Sequence, residues 1–125
     1  MAIPQSVYDN PDFMNLSGSA LRLLIDMAIQ YNGSNNGDLT AAMGHMKNRG
    51  WTSEGGLSKA VKELQDARLL IRTREGRFKP RMCALYAITW HSIDECQGKH
   101  LQVEPTASAP RKFSMEASNV IAFSK

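Results

Sequence analysis

The sequence predicts an α+β domain, a three-helix core followed by a β-hairpin, with an N-terminal arm and a C-terminal extension. Three observations lead there. Residues 17–33, 39–50 and 51–68 space their apolar side chains helically between cap and stop signals. Residues 69–75 and 82–90 are rich in β-branched and aromatic side chains and flank the turn sequence GRFKP. The 125 residues leave room for one such domain, and a chain with 42% hydrophobic and 22% charged residues can bury enough surface to fold.

Residues 1–16 contain Pro4 and Pro11 among aperiodic apolar residues, and they predict an extended arm anchored by Ile3, Val7, Phe13 and Leu16. The domain proper is expected over residues 17–90. Its first helix, LSGSALRLLIDMAIQYNG, can be capped by Ser17 or Ser19, whose side-chain oxygen accepts an orphan backbone N–H, and Gly33 ends it. Arg22, Asp26 and Gln30 recur four residues apart as one narrow polar stripe, so the rest of the circumference is expected to face apolar neighbours. NGSNNGD follows as a turn cluster. A short helix comes next, with Leu39, Ala42, Met43 and Met46 on one face and Gly50 as its stop.

The third helix, WTSEGGLSKAVKELQDARLL, takes Thr52 or Ser53 as its cap and gathers Leu57, Ala60, Val61 and Leu64 into one apolar arc. At about 100° per residue, Gly55, Lys59 and Lys62 point away from that arc. The two strands then close a hairpin, in which Arg72 and Arg74, two residues apart, are expected on one face. Residues 91–125 are expected to form a packed extension and then a mostly flexible tail rich in Pro, Ser and Ala.

Charge is unevenly placed. The chain carries +3 overall, whereas residues 47–81 hold ten Lys and Arg against four acids. That concentration points to a polyanionic partner more directly than the total does. No apolar run approaches the roughly 18 residues of a membrane span, and MAIPQSVYDN lacks the features of a signal peptide. The expected setting is therefore the cytosol of a bacterium or a phage-infected host, where Cys83 and Cys96 would stay reduced.

Helix, short helix, turn, helix and basic hairpin is the element order of a winged helix-turn-helix domain. In such a domain the third helix is narrow enough for the major groove of double-stranded DNA. Ser58, Lys59 and Lys62 are then placed to approach base edges. Thr52, Ser53 and Gly55 start that helix, where backbone N–H groups favour phosphates. Arg72, Arg74, Arg77, Lys79 and Arg81 form a cationic wing that positions the domain on phosphates or in a minor groove.

The stretch NNGDLTAAMGHMKNRGWTSEGGLSKAVKELQDARLLIRTREG resembles winged-helix proteins of phages and mobile elements. It is similar to the N-terminal domains of phage replication proteins and to uncharacterised proteobacterial helix-turn-helix proteins, and ALYAITWHSIDECQGKH resembles the strand and extension of the latter. The likeness spans roughly residues 4–105 and implies sequence-specific DNA binding, as a transcriptional regulator or replication accessory. The pattern departs at Arg68, where such domains usually have glycine before the first wing strand. A left-handed cap there costs about 1 kcal/mol without glycine.

Other chemistries find little support. Cys83, His91, Cys96 and His100 are zinc-ligand types, but their spacing fits no zinc pattern, and Cys83 is expected inside a strand. No phosphate loop, nucleophile motif or paired carboxylates are present, so neither enzyme activity, a cofactor nor a small-molecule ligand is expected. Trp51 is expected as a staple onto the core and His45 at the surface. The alternative function is a protein-docking module using the same basic face. The first helix exposes more apolar surface than two short helices and a hairpin can cover. A homodimer, in which a second copy covers it, is the expectation. The alternative is that the arm around Phe13 and the extension around Ile93 and Leu101 fold back over it.

Overall fold

The computed structural model describes residues 3–76 and 82–116. Two single-turn helices, α1 (Gln5–Tyr8) and α2 (Pro11–Met14), stand where an extended arm was expected. Pro11 occupies the first helical position, where its missing N–H is no loss, and the Asn10 side chain accepts the Asp12 N–H at 2.9 Å. These local signals lie within four residues of each other, too short a span for any apolar period. Val7 and Phe13 turn inward and are buried.

α3 (Gly18–Gln30) begins at Ser17, whose hydroxyl oxygen accepts the Ala20 N–H, and buries Ala20, Leu23, Leu24, Met27 and Ala28. It ends at Tyr31, ahead of Gly33, which takes a positive φ in the following turn. The expected polar stripe is divided. Arg22 is exposed, Gln30 is half-buried and Asp26 is buried, while the apolar Ile29 is 51% exposed.

The second predicted helix is mostly something else. Its first residues form a strand, β1 (Leu39–Thr40), followed by α4 (Met43–Met46) and a 3-10 turn, Lys47–Arg49, which Gly50 ends at φ 94°. Leu39 and Met46 are buried as the pattern predicts. α5 (Glu54–Asp66) is capped by Ser53, whose hydroxyl accepts the Gly56 N–H, and it buries Leu57, Ala60, Val61 and Leu64.

At the end of α5 the chain turns through Arg68 with φ 59°. The Leu69 N–H reaches the Leu64 carbonyl and the Arg68 N–H reaches Gln65, both at 3.0 Å. This is the left-handed cap usually made by glycine, here made without it.

β2 (Leu70–Arg74) and β3 (Leu85–Ile88) form the predicted antiparallel hairpin, and β1 adds a third strand on the far side of β3, giving the order β1-β3-β2. A bulge interrupts the ladder: Arg72 faces Tyr86 and Arg74 faces Leu85, which are neighbours on β3. Side chains alternate along β3, so the bulge separates the two arginines that were expected on one face.

Side-chain amides extend the sheet. Gln30 exchanges two hydrogen bonds with the Thr40 backbone, and Asn36, wholly buried, pairs with both the N–H and the carbonyl of Ile88. On the other edge, the Gln102 N–H donates to the Thr73 carbonyl, while its side-chain oxygen accepts the Glu75 N–H.

α3 packs on α5, and α5 on β2, with the core between them. The extension from residue 91 is packed, with Ile93 buried, and no further strand forms among its described residues. The region expected as a flexible tail is instead anchored through residue 116. Phe113 joins the core, and Arg111 is buried at the junction of the N-terminal helices with the end of α5.

The Arg111 guanidinium donates to Asp12 at 2.6 Å, to both Glu116 oxygens at 2.8 Å, and to the Ala67 and Arg68 carbonyls. A Pro/Ser-rich composition hid this, because one arginine and one phenylalanine supply the attachment. Together Val7, Phe13, Trp90 and Phe113 belong to one buried cluster with the apolar residues of α3, so the covering that motivated a homodimer is supplied within one chain. No helix among the described residues is long and apolar enough to cross a membrane.

Candidate nucleic-acid interface

Four of the predicted contact residues share one exposed face of α5. Gly55, Ser58, Lys59 and Lys62 are all exposed, opposite the buried arc, as the helical period requires. Thr52 and Ser53 precede them at the helix start, with Ser53 already engaged as the cap.

The turn that delivers α5 is held by Asp26. Its carboxylate accepts the Trp51 indole N–H at 3.0 Å and the Arg49 Nε–H at 3.3 Å. Trp51 is half-buried against the core, as expected of a staple. Asp26 was read only as part of a wet stripe. The signal that could have exposed it is the donor pair Arg49 and Trp51 flanking Gly50. Gly50 is favoured by its left-handed φ, and a Cβ there would also lie 2.6 Å from the end of the Arg22 guanidinium, which donates to the Arg49 carbonyl and would have to shift.

The other end of α5 is tied to the start of α3. Glu63 accepts both the backbone N–H and the hydroxyl of Ser17, at 2.7 and 2.8 Å. Those two bonds hold the Glu63 carboxyl below its usual pKa.

Between α5 and the sheet runs a groove of about 680 Å³. Leu57 and Val61 of α5, Met43 and Tyr86 form its apolar lining, while Ser58, Lys62 and Arg72 bring polar groups to it. Arg72 is fixed in place. One nitrogen donates to Glu75 at 3.1 Å, another to the Tyr86 hydroxyl at 3.3 Å, and the guanidinium lies 5.5 Å from the Tyr86 ring centre. Burial opposes the Arg72 charge, but Tyr86 and Glu75 outweigh it and its pKa is raised. Lys62 in turn reaches Asp66 at 2.9 Å.

Arg74 lies elsewhere. Its guanidinium donates twice to the Cys83 carbonyl and once to that of Lys99, bracing the hairpin stem against the extension. The structure thus brings Ser58, Lys62 and Arg72 together and takes Arg74 away from them. Arg77, Lys79 and Arg81 lie outside the described residues.

Cys83 is exposed and precedes β3, which begins at Leu85, so it is not the buried strand residue expected. Among the described residues no three His, Cys, Asp or Glu side chains converge as metal ligands would. His45 is exposed, as expected. Compared with family models, curated proteins and solved structures, the chain matches none, and its own residues carry the functional reading.

Proposed function

We propose that this chain is a winged helix-turn-helix protein that binds double-stranded DNA, with α5 in the major groove and the basic hairpin against neighbouring phosphates. The observation that carries the reading is the exposed face of α5, built from Gly55, Ser58, Lys59 and Lys62, beside a groove that Arg72 of the hairpin also lines. Such a face is small enough for close approach to base edges and cationic enough to hold phosphate. The sequence adds Arg77, Lys79 and Arg81 to the same hairpin. A phage- or mobile-element-type regulator or replication accessory is the role this chemistry suits. Two copies on a palindromic site would double the contact, which makes a homodimer on DNA part of the proposal.

Lys59 and Arg77 are given different work, and that division is testable. On duplexes selected from a random pool, Lys59→Ala is expected to change the preferred sequence, at about 1–3 kcal/mol for a base contact. Arg77→Ala is expected to weaken all sequences alike. Identical behaviour of the two variants across the panel contradicts the assignment. A second reading, docking of a host protein, draws on the apolar lining of the groove at Met43, Leu57, Val61 and Tyr86. Binding to protein but not to duplex would favour it.

A further inference from the structure

The two cations that line the groove are not free. Lys62 is paired with Asp66 one helical turn on, and Arg72 with Glu75 three residues on. Both carboxylates are largely exposed, at 67% and 64% of their side chains. The Lys62–Asp66 pair is exposed on both sides and adds little to stability, whereas Arg72 is only 35% exposed and Glu75 offsets part of its burial cost. Their placement is nevertheless constrained. Glu75 is held by its backbone N–H to the Gln102 side chain, and Arg72 by the Tyr86 hydroxyl and ring. Asp66 sits in the last turn of α5, one turn beyond Lys62.

We propose that Asp66 and Glu75 are specificity residues that keep Lys62 and Arg72 neutralised until a matched DNA sequence draws them away. The proposal rests on the DNA reading above. Loose, sequence-independent binding is almost wholly electrostatic, and it grows with each cation free to displace a counter-ion from the duplex. Two cations paired within the protein contribute little to it. On a matched sequence the base edges and phosphates lie close enough to α5 and the hairpin to outcompete two exposed carboxylates, and both cations engage. The carboxylates therefore lower background binding more than they lower matched binding.

The test uses the full chain and two duplexes, one of random sequence and one selected from a random pool. Asp66→Asn and Glu75→Gln each remove the carboxylate that neutralises one cation without touching the core, Arg72 keeping its contacts to Tyr86. Glu104→Gln, at an exposed position in the extension, makes the same change of net charge. On the random duplex, each groove variant is expected to bind about threefold tighter or more, with a log–log salt slope steeper by about 0.9. On the selected duplex the slope stays at the wild-type value, so the ratio of matched to random affinity falls. Glu104→Gln should leave both slopes unchanged. The proposal is overturned if the groove variants behave like Glu104→Gln, or if both duplexes shift equally. Wild-type protein that binds neither duplex would instead contradict the DNA reading itself, and this role with it.

Discussion

Arg68 shows a single residue holding a backbone shape that its side chain disfavours. Its φ of 59° places a Cβ where glycine has none, yet both hydrogen bonds of the left-handed cap are made. The surroundings compensate: the Arg68 carbonyl accepts from the Thr89 hydroxyl and from Arg111. Its own guanidinium makes only a 3.8 Å approach to Asp12, so little is lost with the side chain. Arg68→Gly is expected to raise stability by about 0.5–1 kcal/mol, read as a higher urea midpoint with an unchanged slope. A lower midpoint would mean that the side chain matters more than the strain. The need for a glycine-like cap was implied by the resemblance to winged-helix proteins, which usually have glycine at that position. The role of Asn36 was not legible. NNGD reads as a turn, and the residue does begin one, but its amide also donates to the Ile88, His91 and Ser92 carbonyls, more than fifty residues away. No local pattern announces a side chain that imitates a strand.

At the level of elements, α3 and α5 were readable because their signals are local. Each has a serine cap and an apolar period, and Ser17 and Ser53 both make the predicted bond. β1 was missed because two residues have no period, and only pairing with β3 makes them a strand. The bulge between Arg72 and Arg74 was missed for the same reason. The tie between the helices is also a long-range feature, and it titrates. Glu63, with its pKa lowered by the Ser17 bonds, stabilises the fold at pH values above its usual 4.5. That contribution is lost as pH falls through the lowered value. Glu116, lowered first by its hydrogen bonds from Arg111, follows the same sign. Melting temperature is therefore expected to decline below about pH 4.5, and Glu63→Gln should flatten part of that decline. A wild-type profile with no acid limb would contradict this.

For the whole molecule, the segments 3–16 and 91–116 complete the domain. The sequence placed the boundary of the domain at residue 90, whereas the attachment continues to Phe113 and Arg111. Phe113 is 3% exposed and lies 4.2 Å beneath the Arg111 guanidinium. Phe113→Ala is expected to cost about 3 kcal/mol or more, against almost nothing for a true tail residue. Chemical denaturation decides between those values. The same closure brings the N-terminal helices and the extension to the end of α5 and the outer edge of β2.

The face carrying Lys59, Lys62 and Arg72 is the central claim, and the salt dependence of duplex binding tests it most directly. If α5 and the hairpin together meet about six phosphates, log K should fall linearly with log salt at a slope near −5. Affinity for duplex DNA that does not change with salt, or no binding at low salt, would contradict the account.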